Sequence, residues 1–253
     1  AGFERNRTVL EKGDYNGDGT DDVAIFRKSS GQWAIRGITS VYFGSYSDLP
    51  VPGDYRGDGT TAIAIFRPSS GLWAIRGLSR IYYGNSADQA VPGDYDGNGK
   101  CDPGVYRPDT GRWAIRGLTR FYFGGPSDEP LPGYYNNDAT KDIAVFRAAS
   151  GLWALKDLTR IYFGRAGDRP VPGNYIGQPG WEAAIFRPAA GLWAIRGLTR
   201  TYFGNISYQA VPADYNGNGS DDAAVFRGKD GRWAIRGLTR FSFGSIGDQP
   251  VTR

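Results

Sequence analysis

GDYDGNGKCDPGVYRPDTGRWAIRGLTRFYFGGPSDEP, running from Gly93 to Pro130, decides the fold because the rest of the chain repeats it. In steps of forty residues the same phrase returns, and Trp33, Trp73, Trp113, Trp153, Trp193 and Trp233 stand in one column. Six copies fill residues 11 to 250. A period of that length marks stacked or radially arranged units. One such unit cannot bury enough apolar surface alone, so the copies must share one assembly.

Within a unit, short apolar runs alternate with turn residues, which is the pattern of strands. In the second copy the runs are VPGDY (51–55), AIAIFR (62–67), LWAIR (72–76) and SRIYYG (79–84). Gly77-Leu78 reads as a two-residue type II′ hairpin and Pro68-Ser69-Ser70-Gly71 as a longer turn. Pro52 cannot donate to a ladder, which makes the first strand an edge, on a central channel or on the outer rim. Four antiparallel strands per unit predict an all-β, six-bladed β-propeller built from six 40-residue four-stranded repeats. A β-prism-like arrangement and an open β-solenoid are the alternatives. Residues 1–10 are an N-terminal arm, with Thr8–Tyr15 starting the first strand. Residues 11–253 form a single propeller with blades at about 11–50, 51–90, 91–130, 131–170, 171–210 and 211–250. Asp248-Gln249-Pro250-Val251 begins a seventh copy and stops, as a latch lying beside the first strand of blade one would.

Composition excludes several classes. There is no histidine, which removes histidine-based zinc sites and nucleophile–histidine pairs. The single cysteine, Cys101, allows no intrachain disulfide, and no run of about 18 apolar residues predicts a membrane span. The 30 basic and 26 acidic residues are interspersed along the chain, too mild a balance for a nucleic-acid binder. Position 1 is not methionine, as in a processed or excised product. Asn6, Asn205 and Asn218 begin glycosylation triplets.

The loop after the first run carries metal chemistry. Calcium takes six to eight oxygens, which alternate positions of a tight loop can aim at one centre. Asp14, Asn16, Asp18, the carbonyl of Thr20 and Asp22 occupy positions 1, 3, 5, 7 and 9 of the first loop. Position 12 is Ile25 and not glutamate, which makes this a nine-residue loop distinct from an EF-hand. The third loop keeps Asp94, Asp96, Asn98, the Lys100 carbonyl and Asp102. The sixth keeps Asp214, Asn216, Asn218, the Ser220 carbonyl and Asp222. About three calcium sites, in blades 1, 3 and 6, are expected at the ~0.1–1 mM affinity of extracellular modules. In the fourth loop Tyr134 replaces the first ligand, leaving Asn136, Asp138 and Asp142 as a doubtful site. The second, with Arg56 and Ala62, and the fifth, with Ile176 and Pro179, should hold no ion. Arg56 reads as a substitute cation for Asp54 or Asp58. Against all of these stands the plainer reading that Asp and Asn beside Gly make turns.

Phe-Gly at 43–44, 123–124, 163–164, 203–204 and 243–244, with Tyr83-Gly84 as a variant, precedes each DxDxDGxxD-like loop and its apolar strand. In this the chain resembles the FG-GAP or VCBS repeat family, found in integrin α-subunit propellers and many bacterial secreted proteins. The likeness covers nearly the whole chain, although the Gly-Ala-Pro tripeptide and the fused enzymatic domains of that family are missing. It implies a propeller, calcium in the loops, and adhesive or ligand-binding work outside the cell, and it names no ligand.

Two arginine columns follow the second and third strands: Arg27, Arg67, Arg107, Arg147, Arg187 and Arg227, and then Arg36, Arg76, Arg116, Lys156, Arg196 and Arg236. Both are expected to pair with the column Asp48, Asp88, Asp128, Asp168 and Asp248, with an anionic glycan or phosphate as the functional alternative. The tryptophan column suits packing between blades better than sugar stacking. Trp181 stands outside that column and Tyr208 sits where other copies carry aspartate, so both are candidate ligand contacts. Catalysis would plant unique acids at one place, whereas Glu4, Glu11, Glu129 and Glu182 are scattered. The reading is therefore a non-catalytic, calcium-stabilised extracellular recognition module for glycan or protein. A self-assembling subunit of a surface layer or filament is the alternative, and a glycan-active enzyme the third class.

Overall fold

The computed structural model describes residues 13–251, so the arm at 1–10 and most of the strand expected at Thr8–Tyr15 lie outside the described residues. Six four-stranded antiparallel sheets form a six-bladed propeller. In the second blade the strands are Leu49–Pro50, Ala64–Arg67, Leu72–Ile75 and Ser79–Tyr82, in that spatial order. The first run was placed too late in the sequence. Pro52 interrupts the ladder, so only Pro50 and Leu49 pair as a strand, and Gly53 re-forms one isolated bridge with Ala62. The short strand is an edge, as its proline requires, and the loop after it faces the ring axis.

The hairpin between third and fourth strands also differs from expectation. Ile75 pairs with Ser79 across a three-residue turn in which the Leu78 amide donates to the Ile75 carbonyl at 3.1 Å. Gly77, at φ +70°, is the third of the four residues Ile75–Leu78 that this bond closes, the place where a type II turn requires a positive φ. Asp157 takes the same conformation in the fourth blade, at φ +60°. The Phe-Gly signature has a packing cause: a Cβ on Gly124 would lie 3.0 Å from Val145 of the next blade.

Closure joins the two ends of the described chain. Asp248–Pro250 pairs with Ala24–Arg27 and supplies the first-strand position of blade one, where the sequence placed Thr8–Tyr15. The blades are glued by the Trp-Ala dipeptides of their third strands. Trp33 packs with Ile63, Ile65 and Ala74 of the following blade, and Trp233 with Ile25 and Ala34 of the first. Alternate strand residues face opposite sides, so each tryptophan reaches forward while the small alanine beside it leaves room for the tryptophan behind. All six indoles are fully buried, and each Nε1–H donates to the carbonyl ten residues on, as Trp73 does to Tyr83 at 2.9 Å.

The first arginine column pairs with the aspartate column as expected. Arg67 grips the buried Asp48 with Nε at 2.6 Å and Nη2 at 2.8 Å, and Arg27, Arg107, Arg147 and Arg187 repeat this. In blade six Tyr208 replaces the aspartate, so Arg227 turns to Asp230 and lies 5.2 Å from the Tyr208 ring. Arg67→Ala should destabilise by about 2 kcal/mol, less than the ~3–5 of a fully buried pair because part of the guanidinium stays in water. Arg227→Ala, whose partner is exposed, should cost less; urea melts showing equal losses would contradict this assignment.

Candidate functional site

Six nine-residue loops meet at the axis, and their backbones hold them in a closed annulus. The amides of Thr61, Cys101 and Lys141 donate to the carbonyls of Asp14, Asp54 and Asp94 in the preceding blade, each at 2.7 Å. Trp181 donates to Tyr134 and Asp221 to Asn174, and Asp21 closes the circle on Asp214 at 2.8 Å. Because backbone atoms make these bonds, the side chains at that register are released from the repeat. They are Asp21, Thr61, Cys101, Lys141, Trp181 and Asp221, five residue types at six equivalent positions of a molecule that otherwise copies itself. All of them but Lys141 line an axial cavity of about 510 Å³.

Within each intact loop the first aspartate organises the turn. Asp94 accepts from the amides of Gly97 and Gly99 at 2.8 Å each, as Asp14 does from Gly17 and Gly19. The third loop goes further: carboxylate oxygens of Asp94, Asp96 and Asp102 lie within 4.8 Å of one another, which among the described residues is the one acidic group converging so closely. Asn98 accepts from the Lys100 amide at 2.8 Å, and the Asp102 carboxylate accepts from Tyr95 at 3.0 Å. In the first loop Asn16 donates its amide to Asp18 at 2.9 Å, the Thr20 hydroxyl also bonds Asp18, and Asp22 accepts from Tyr15 at 2.7 Å. In the sixth, Asn216 donates to both oxygens of Asp222, and Asn218 accepts from the amide and hydroxyl of Ser220. There a side-chain amide offsets the carboxylate charge; the third loop has Asp96 at that position instead and leaves its carboxylates facing one another. Burial, then the neighbouring carboxylates, lifts Asp22, Asp102 and Asp222 to about 6, and the same causes raise Asp142 above the ordinary aspartate value. Hydrogen bonds from Thr20 and Thr140 hold Asp18 and Asp138 low.

The degraded loops keep their shape by substitution. Asn137 adopts the φ +65° that glycine takes elsewhere, and Asn136 donates to Asp138 at 2.8 Å. Arg56 does not bridge Asp54 or Asp58: its Nη2 lies 3.4 Å from the carbonyls of Arg76 and Gly77. Trp181 stands at the axial cavity, edge-on to Tyr134 and Tyr135 with ring centroids 5.6 and 6.0 Å apart, and the Lys141 ammonium lies 5.7 Å from its ring. Tyr208 is at the other arginine site, under Arg227, and the two candidate contacts are not brought together.

The second arginine column does not join the aspartates. Arg36, Arg76, Arg116, Arg196 and Arg236 are exposed, and Arg36 lies 4.3 Å over Phe241 of the preceding blade. Lys156 lies 5.4 Å over Phe121 in the same way. The sequence reading overlooked two further columns. On the outermost strands Arg80, Arg120, Arg160, Arg200 and Arg240 are exposed, and Tyr42, Tyr82, Tyr122, Tyr162 and Tyr202 are 72–74% exposed. Arg80 sits opposite Ala74 and Tyr82 opposite Leu72, so both stand on the face whose alanine receives the preceding blade's tryptophan. In blades two to five each gap is therefore walled by two basic groups and a tyrosine, whereas blade one has Ser40 in place of the second basic group and blade six has Ser242 in place of the tyrosine. Their signal was a fixed offset after each tryptophan.

No protein-family model matches the chain, and no curated protein does. Among solved structures, a lectin from Agrocybe aegerita that specifically recognises non-reducing terminal N-acetylglucosamine is similar at 15% identity and TM-score 0.57, over 96% of this chain and 80% of that one. BBS1N, solved in complex with ARL6DN and soaked with mercury, is similar at 13% identity and TM-score 0.52, over 97% of this chain and 83% of that one. At these identities the likeness is one of fold. Among the described residues no helix is long and apolar enough to cross a membrane.

Proposed function

We propose that the protein is a non-catalytic recognition propeller of the FG-GAP or VCBS type, acting outside the cell, stabilised by calcium in its axial loops and binding saccharide in the gaps between blades. The observation that carries this is the column of tyrosines standing 72–74% exposed at one register of five blades. Exposed aromatic faces flanked by guanidinium donors suit a sugar ring, whose C–H face stacks while its hydroxyls accept hydrogen bonds. A lectin of the same architecture supports the reading by analogy of fold. Four like gaps, in blades two to five, would multiply a weak single-site affinity. A glycan array with calcium and with chelator tests it, and size exclusion on the same sample distinguishes a self-assembling subunit. Saccharide binding by a monomer is expected; rods or fibres that bind no saccharide would leave the structural reading in its place.

The donor set of the third loop suits calcium: three carboxylates come within 4.8 Å of one another, and Asn98 and the Lys100 carbonyl occupy the alternate loop positions that would supply further oxygens. The ion would neutralise like charges that the fold crowds together. Asp22, Asp102 and Asp222 are lifted to about 6, above the ~4 of an unfolded aspartate, so each binds its proton more tightly in the folded state. The ion-free protein therefore loses stability from these groups as pH rises from ~4 to about 6. Calcium, which needs the ionised form, restores it in the same window. At ten to a hundred times its dissociation constant calcium should add ~1.4–2.7 kcal/mol per site. The rise in melting temperature should be several degrees above about pH 7 and nearly absent near ~4.5. Asp102→Asn should remove more of this shift than Asp142→Asn; equal shifts at both pH values would count against an ion in these loops.

A further inference from the structure

Charges that alternate along the chain separate when it folds. The six axial loops, at 14–22 and each forty residues on, carry fifteen aspartates and glutamates against three basic residues. The two outer strands with their hairpin, at 32–42 and each forty residues on, carry thirteen arginines and lysines against one acid, Asp157. The mild net charge of +4 thus conceals an acidic hub inside a basic rim.

We propose that the rim is a belt for an acidic polysaccharide, one carrying carboxylate or sulfate groups; this rests on the saccharide-recognition reading and names its ligand class. Blade three shows the arrangement most fully. Arg116 and Arg120 flank its gap with Tyr122, which is 72% exposed. Arg112 lies opposite Arg107 and Tyr122 in the strand register, and while Arg107 is engaged by Asp88 at 2.8 Å, the Arg112 Nε–H has no hydrogen-bond acceptor among the described residues. Arg107 has Asp88 and Asp109 beside it, and the unpartnered Nε–H of the facing Arg112 makes a place for a further anion. Planar guanidinium forks match carboxylate and sulfate oxygens, and the tyrosine between them offers a face to the sugar ring. A chain of 253 residues folds to a radius of gyration of about 18 Å, and duplex DNA, with its persistence length of about 500 Å, cannot follow that curvature. A flexible polysaccharide with one or two charges per sugar can pass from gap to gap.

The test is binding of the full chain to heparin, alginate, a neutral chito-oligosaccharide and a single-stranded oligothymidylate, from ~50 to ~300 mM salt. Heparin and alginate should bind, with affinity falling steeply as salt rises. The triple variant Arg112→Gln, Arg116→Gln, Arg120→Gln should weaken both about tenfold and flatten the salt dependence. Tyr122→Ala should weaken binding at unchanged salt slope. Melting curves confirm that each variant is folded, and replacing the three arginines by lysine keeps the charge, so recovery of salt-dependent binding without full affinity would mark the guanidinium geometry. Binding of the chito-oligosaccharide but of neither polyanion would overturn the acidic class and leave saccharide recognition standing. Oligothymidylate binding tighter than either polysaccharide would overturn the saccharide assignment of the rim. Binding of none of the four by folded protein would sink both.

Discussion

A chain ending at Gly247 should fail to close its ring. The segment removed completes the first sheet, pairing Pro250, Gln249 and Asp248 with Ile25, Phe26 and Arg27. It also carries Val251, fully buried, whose amide donates to the Ala24 carbonyl at 3.0 Å, and Asp248, which holds Arg27 at 2.7 and 2.8 Å. Burial of one valine is worth about 2 kcal/mol and each ladder bond about 1, so with the ion pair the loss reaches about 5 kcal/mol, the scale of a whole domain's stability. The consequence exceeds that sum, because Ala24–Arg27 then becomes an unprotected edge. Size exclusion with light scattering should show oligomers or aggregate, with a melting temperature more than about 10 °C lower in any monomer that remains. A soluble monomer melting within ~2 °C of the full chain would mean that the ring is held shut by blade packing alone.

The fold was legible because a forty-residue period survives every local ambiguity. The shape of the loops was legible too, since Asp14 and Asn16, spaced by alternation in the sequence, accept the turn's amides from Gly17 and Asp18. Two things were not. The first strand was misplaced because Val51, buried and β-branched, looks like ladder, and only the geometry shows that Pro52 ends it. The basic rim was hidden because Arg76 and Asp94 are neighbours along the chain and belong to opposite ends of a blade's radius. Periodicity turns an even mixture of charges into concentric shells, and no window along the sequence reports that. The pairing of Arg67 with Asp48 was foreseen and then over-extended to Arg76, which lies just beyond the end of its strand in an exposed turn.

The tryptophan column decides between architecture and contact, and Trp153→Ala puts the two in opposition. Its indole is fully buried, 5.1 Å from the Phe146 ring, with Leu131, Ile185 and Ala194 around it. The Nε1–H donates to the Phe163 carbonyl at 2.9 Å, at the Phe-Gly turn that passes the chain to the next blade. Truncation should cost about 4–5 kcal/mol, from lost burial, a cavity and an unpaired carbonyl. A closed ring cannot shed one blade as an open array can, so the loss should appear as a lower midpoint of one cooperative urea transition, at nearly unchanged slope. Trp153→Phe, which keeps most of the volume and loses the donor, should cost about half as much. Trp181→Ala is the counterpart: it removes an edge-on contact at the axial cavity and should lower the unfolding free energy by only about 1 kcal/mol. Were the column a set of sugar platforms, Trp153→Ala would keep its midpoint and lose saccharide affinity. Packing as seen here requires the reverse, with affinity per folded molecule nearly unchanged because the exposed Tyr82 and Tyr122 stand at gaps filled by other tryptophans, Trp33 and Trp73.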